Sequence, residues 1–264
     1  MKVRVLGSAS GVPMPGRYNE SVLVRVGEAS YLLDAGEPCA ATIHTSDVSV
    51  YSIRAVFISH PHADHVGGLA MLLQVMWLWQ SRGPQFRFKP DNHLDLCLSP
   101  SFVEPFGAFL DAMQMGVKRL PYRLNMQPIH EGVFYDDGVA RVSAQLTSHG
   151  GSKPPGAEGS AKFEAYSFVL EAEGRKVVYS GDVARPEELY PLLPGADLLV
   201  MECAHFEPER LFQALKGQDV KRIVITHIHP KWAGREAEIA ATARKHLGHD
   251  VPVAHDGWET EVGG

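Results

Sequence analysis

The stretch ISHPHADHVGGL, residues 58–69, sets three histidines and an aspartate within six positions, between an apolar run and a pair of glycines. The run before it, residues 54–59, reads as a short strand, and Pro61 stops that strand from continuing. His60, His62, Asp64 and His65 therefore fall on a loop at the C-terminal end of a strand, where open α/β sheets gather ligands. Asp and His are depleted from buried positions unless they are paired or bound to metal. One ion needs only three or four ligands, so four within one short loop point to two ions or a shared cluster. Such a loop can turn His60 and His62 toward one ion while Asp64 and His65 face a second.

More polar residues close apolar strands elsewhere. Asp34 closes YLLDAG, His149 closes VSAQLTSHG, Asp182 closes VVYSGD and His227 closes IVITHIH. Strands of one sheet end along a common edge, so residues distant in sequence can converge there. The expected arrangement has His60, His62 and His149 around one ion, and Asp64, His65 and His227 around the other. Asp182 would bridge the two with its two oxygens. Nitrogen and oxygen donors without thiolate suit zinc, with manganese or iron as alternatives. Two such ions, ~3.5–4 Å apart, clamp a bridging hydroxide and polarise a scissile group, which is hydrolysis chemistry. Asp34 is expected behind the ligands, accepting the second N–H of a ligating imidazole.

The 264 residues suit a single domain over 1–264 with a substantial core. A net charge of -6 gives no global pull toward nucleic acid or an anionic membrane. Three cysteines without a CxxC pair, and a start that enters a strand at once, lead to the expectation of a reducing, cytoplasmic setting. No apolar run approaches the ~18 residues of a membrane span. Strands are expected at residues 3–6, 21–26, 30–34, 120–124, 132–135, 140–147, 165–171, 176–180, 197–201, 221–226 and 251–254. Helices are expected at residues 67–80, 101–115, 208–215 and 234–246, the second with Ser101 as N-cap. The fold class is α/β (α+β), and two mixed sheets covered by helices, a four-layer sandwich, are the most economical assembly. Residues 149–161 read as a mobile loop beside the site.

These residues resemble the metallo-β-lactamase superfamily, in particular its branch of ribonuclease Z and related phosphodiesterases. VRVLGSASGVP is similar to that branch's opening strand, YLLDAGE to its aspartate-bearing strand and AVFISHPHADHVGGL to its signature motif. VVYSGDVARPEEL resembles its bridging-aspartate segment and IVITHIHP its last ligand histidine. ECAHFEPERL and AHDGWETEV also resemble segments of bacterial cyclic-nucleotide phosphodiesterases of the superfamily. The resemblance implies an αβ/βα metallo-β-lactamase sandwich, a dinuclear site that is commonly zinc, and often a homodimer.

Departures from the branch bear on substrate. Ribonuclease Z carries an acid histidine at the position of Met201, and a long basic arm between the third histidine and the bridging aspartate. Here His149 and Asp182 are only 33 residues apart (182 − 149). The expected reaction is therefore hydrolysis of a small or cyclic phosphodiester by a metal-bridging hydroxide, with extended nucleic acid and membrane disfavoured as partners. Asp64, His205 and His229 are the catalytic candidates, either of the last two serving as general acid. A lactone or carboxylic ester hydrolase is the first alternative, and a ribonuclease Z-like RNA endonuclease the second. Val183-Ala184-Arg185 after the bridging aspartate offers no tyrosine of the lactonase kind, and Arg185 suits a phosphate. A non-enzymatic binder or a redox di-iron module is disfavoured, because all seven ligand positions are filled and no flavin partner is evident.

Overall fold

Apolar strands build two sheets that face each other, and each sheet carries helices on its outer side. The computed structural model describes residues 1–80, 82–83, 85–88, 90–151 and 163–263. The first half of the chain runs β1 (Lys2–Gly7), β2 (Ser21–Val26), β3 (Ala29–Leu33), α1 (Cys39–His44), β4 (Ile53–Phe57), α2 (Ala63–Val66), α3 (Leu69–Gln80), β5 (His93–Leu98), α4 (Pro100–Ala112) and β6 (Arg123–Pro128). The second runs β7 (Gly132–Asp136), β8 (Arg141–Thr147), β9 (Ala165–Ala172), β10 (Arg175–Tyr179), β11 (Leu198–Cys203), α5 (Pro208–Leu215), β12 (Ile223–Ile228), α6 (Glu236–Leu247) and β13 (Glu259–Glu261).

The sheets have the orders β13-β1-β2-β3-β4-β5-β6 and β12-β11-β10-β9-β8-β7. Strands β3 to β6 run parallel, and so do β10 to β12. Parallel strands covered on both faces read as continuous apolar runs, as LLVMEC of β11 and IVITHI of β12 do, with every residue buried. Tyr31, Phe57, Phe168 and Tyr179 fill the space between the sheets. Ile43, Leu69, Leu72 and Phe106 seat α1, α3 and α4 on the first sheet, while Leu211, Phe212 and Ile239 seat α5 and α6 on the second. The four-layer αβ/βα sandwich expected from the sequence is the fold observed.

Several elements differ from expectation. Strand β5 was not anticipated, because HLDLCL carries strand-poor residues. Tertiary context overrides that preference: Asp95 is buried but accepts from His93 and Asn125 at 3.0 and 2.7 Å. Helix α4 begins at Pro100, with Ser99 at its N-cap position. Ser101 instead donates its N–H and hydroxyl to Glu164 across the chain. Strand β6 begins at Arg123, where pairing with β5 starts, and residues 251–254 form only the single bridge Ile225–Val253. Helix α1 and strand β13 are too short to leave a periodic signal. The loop expected over residues 149–161 falls mostly on residues 152–161, outside the described residues.

One turn joins fold to site. A Cβ added at Gly36 would lie 2.4 Å from the Asp64 carbonyl oxygen and 2.7 Å from that of Glu20. The turn after β3, the start of β2 and the histidine motif therefore meet backbone to backbone. Gly36→Ala is expected to cost about 1–3 kcal/mol through overpacking, read by denaturant unfolding. An unchanged midpoint would show that the turn can yield.

Candidate metal centre

Each polar residue of interest leaves the end of its own strand. Asp34 follows β3, Ser59 and His60 follow β4, His149 follows β8, Asp182 follows β10, and His227 lies near the end of β12. Asp34 and His227 hold left-handed backbone conformations, φ 59° and 48°. Such strain in non-glycine residues persists where surrounding structure enforces it, and it clusters at functional sites.

The side chains fall into two facing groups. In one, His60, His62, His149 and Asp182 bring ligand atoms within 4.8 Å of one another; in the other, Asp64, His65 and His227 do. His60 Nε2 lies 2.9 Å from His62 Nδ1, and His149 Nε2 lies 3.3 Å from that same atom. His65 Nε2 lies 3.1 Å from His227 Nε2, which is 3.2 Å from Asp64 Oδ2. Asp182 stands between the groups. Its Oδ2 is 3.6 Å from His60 Nε2 and 3.5 Å from His149 Nε2, while its Oδ1 is 3.5 Å from both His65 Nε2 and His227 Nδ1.

The surrounding hydrogen bonds fix the imidazole tautomers. Asp34 accepts from the Ser59 N–H, the Ser59 hydroxyl, the Tyr179 hydroxyl and His65 Nδ1. His65 thus spends its proton on Asp34 and turns a lone pair inward through Nε2. The Ser59 hydroxyl, already donating to Asp34, accepts from His60 Nδ1 at 3.0 Å, which leaves His60 Nε2 free in the same sense. Five imidazoles with inward nitrogens beside two carboxylates form a donor set that suits a hard or borderline divalent cation. Buried Asp182 Oδ1 and His227 Nδ1 have no hydrogen-bond partner among the described residues, which fits atoms that would ligate a cation.

Electrostatics divides the groups. Burial pushes His60, His62 and His149 down, the last to about 4. Burial would lower His65 and His227 too, but Asp182 acts on both, together with Asp34 on the first and Asp64 on the second. The outcome is an upward shift for both, to about 9 for His227. Burial would raise Asp182, yet the charges of His227 and His65 hold it well below the usual carboxylate range. The first group is walled by Phe163, whose ring centroid lies 4.8 Å from that of His62 and 5.8 Å from that of His60.

A third cluster adjoins the pair. Glu202, buried at the end of β11, takes His205 Nδ1 at 2.9 Å on one oxygen and 3.0 Å on the other. His205 Nε2 reaches within 4.0 Å of Asp182 Oδ2. Burial would lower His205, and the hydrogen bond and charge of Glu202 raise it instead. Glu202, Ser59, Tyr179 and Phe163 were not singled out in the sequence. Glu202 had a usable signal, being another polar residue that closes an apolar strand. Met201 lies in the helix-side core, so residue 201 is not a vacant acid position in the site. His229 is exposed and caps the turn after β12, its Nδ1 accepting from the Lys231 N–H. Arg185 is exposed and lies 3.9 Å from Glu188, with no contact to the cluster among the described residues.

A family model described as "Anti-Pycsar protein Apyc1" matches residues 1–210. Among curated relatives, a Ribonuclease Z of Crocosphaera subtropica is 26% identical over 286 residues, covering 88% of each chain. Among solved structures, the metallo-beta-lactamase fold protein YhfI of Bacillus subtilis superposes with a TM-score of 0.77 at 19% identity over 98% of both chains. The human tRNase Z, short form, gives 0.75 at 19% identity over 100% of both. Zn(2+)-bound PqqB of Methylobacterium extorquens gives 0.73 at 19% identity, over 99% of this chain and 100% of that one. The fold is that of the metallo-β-lactamase superfamily, and the relatives and structures it resembles include ribonucleases Z. Relatives named for a ribonuclease lend no support to the expectation that nucleic acid is disfavoured as a partner. No helix among the described residues is long and apolar enough to cross a membrane.

Proposed function

Because the chain belongs to the family described as anti-Pycsar protein Apyc1, and because its donor groups are paired about one carboxylate, we propose that it is a dinuclear phosphodiesterase acting on a small or cyclic phosphodiester. The observation that carries this reading is Asp182, which turns one oxygen to each group. His60, His62 and His149 would hold one divalent ion and Asp64, His65 and His227 the other, with Asp182 shared; zinc is the first candidate. When bound, the ions supply Lewis-acid charge that activates water and neutralises the negative charge developing on the phosphoryl oxygens.

The chain's own residues supply the rest. Asp34 holds His65 by its Nδ1 and thereby aims its other nitrogen. Asp64 is held by the Gly11 N–H at 2.7 Å, which keeps one oxygen turned toward His227. Glu202 holds His205 by its Nδ1, shifts the imidazole upward and directs its Nε2 toward Asp182, where a departing alkoxide would collect a proton. His229 and Arg185 have no place in this scheme. Support for a phosphorus substrate comes from the ribonuclease name of the curated relatives. Tyr190, the first tyrosine after Asp182, donates its hydroxyl to the Ala214 carbonyl, which weighs against a lactonase.

The test is a parallel assay of bis(p-nitrophenyl) phosphate, a 3′,5′-cyclic mononucleotide, a lactone panel and a structured RNA, with and without chelator. Chelator-sensitive cleavage of the first two is expected. Cleavage of RNA alone would favour the second reading, a ribonuclease Z-like endonuclease, for which the curated relatives speak. Lactone cleavage alone would overturn both. The reading places the site in one domain over 1–264; a homodimer belongs to the same proposal and is checked by light scattering. Asp34→Ala is expected to weaken metal binding by ~10–100-fold, because four donors lose their acceptor. Retention of both ions at wild-type affinity would contradict that role.

A further inference from the structure

Behind the Asp64–His65–His227 group lies a carboxyl that the scheme above does not use. Glu20 stands just before β2 and is 1% exposed. Its Oε2 accepts from the Thr226 hydroxyl at 2.8 Å, and its Oε1 has no hydrogen-bond partner among the described residues. No lysine or arginine forms an ion pair with it among the described residues. An isolated carboxyl buried without a cation is costly, and folds retain such groups where a charge compensates them.

The surroundings indicate where that charge sits. Thr226, which holds Glu20, immediately precedes His227 in the left-handed turn of β12. Burial pushes the Glu20 carboxyl up to about 8, and positive charge at His227 and His65 and the hydrogen bond from Thr226 oppose that rise, so a cation beside those histidines would favour its charged form. Asp34 already serves four donors, whereas Glu20 serves a single side-chain donor and keeps an oxygen free. The opposite half is built differently. Among the described residues, His60, His62 and His149 group with the single carboxylate of Asp182, and an aromatic ring covers them.

We propose that Glu20 is a positioning residue and built-in counter-charge for the cation held by Asp64, His65 and His227, so that the two halves of the site bind metal unequally. This inference rests on the dinuclear reading above. Through Thr226 the carboxyl ties the end of β12 to the start of β2, and through its charge it favours a cation on the His65–His227 side. It touches neither substrate nor reacting atoms.

The test is zinc affinity of the metal-depleted full chain, measured by competition with a chromogenic chelator. Glu20→Gln keeps the size and the bond to Thr226 but removes the charge. It is expected to weaken one zinc equivalent by ~10-fold or more, leaving the other unchanged and the melting temperature of the metal-free protein undiminished. In a His149→Ala background, where only the Asp64 group is intact, the remaining equivalent should weaken by the same factor. Unchanged affinities would overturn the inference, as would equal weakening of both equivalents with a lower melting temperature, which marks a scaffold role. Should Glu20→Gln not fold, Thr226→Val, which frees the carboxyl from its anchor, must weaken the same equivalent; unaltered binding there overturns it. A wild type that binds two ions while Glu20→Gln changes nothing sinks this inference alone. A wild type that binds none sinks the dinuclear reading and this inference together.

Discussion

Asp182→Ala is expected to lower phosphodiester turnover by at least ~1,000-fold, a barrier increase of roughly 4 kcal/mol. Asp182 is the residue that meets both groups, with Oδ2 3.5–3.6 Å from His149 and His60 and Oδ1 3.5 Å from His65 and His227. In the two-ion reading its removal would take a donor from each ion and leave five imidazoles facing one another without the carboxylate that stands between them. Asp182→Asn should fail almost as badly, since the amide preserves volume but offers an oxygen to only one side. Metal content separates the explanations. Loss of activity with both ions retained would mean that Asp182 acts on substrate and not as a bridge. Turnover within tenfold of wild type would remove it from the centre altogether.

The second large effect concerns the leaving group. His205→Ala should reduce cleavage of an ester with an alkoxide leaving group by ~100- to 10,000-fold, the range for loss of a general acid. With p-nitrophenolate, which departs without a proton, the loss should be several-fold at most. The reasoning is geometric: His205 Nδ1 is held by both Glu202 oxygens, and Nε2 is the end directed at Asp182. Glu202→Gln should show the same leaving-group dependence in milder form, because the imidazole loses its charged partner but not its place. Equal losses on both substrates would assign His205 to binding or to metal retention, and no loss on either would return the role to an outside acid such as water.

Much of this centre was legible in the sequence because strands punctuate it. An apolar run broken by Asp or His marks a strand end, and the residues after β3 and β4 of one sheet meet those from the ends of β8, β10 and β12 of the other. That logic placed His60 with His62 and His149, and Asp64 with His65 and His227, as the geometry does. Groups whose role depends on contacts across sheets were not legible. Tyr179 and Ser59 read as ordinary strand residues until their hydroxyls are seen on Asp34. Glu20 carries no signal in a turn, where acidic residues are common. As histidines, His205 and His229 are equally suited to the acid role, and the turns after β11 and β12 separate them, since His205 faces Asp182 and His229 caps an exposed turn. Strand β5 was hidden for the opposite reason, because its polar residues are paired sideways within the sheet.

The most direct test of the dinuclear reading is the number of metal equivalents per chain, measured by plasma mass spectrometry after loading with zinc and removal of excess. Two equivalents are expected for the wild type and one for His149→Ala, which dismantles one group and spares the other. Fewer than about one equivalent in the wild type, or an unchanged count in the variant, would contradict a two-ion centre built on these residues.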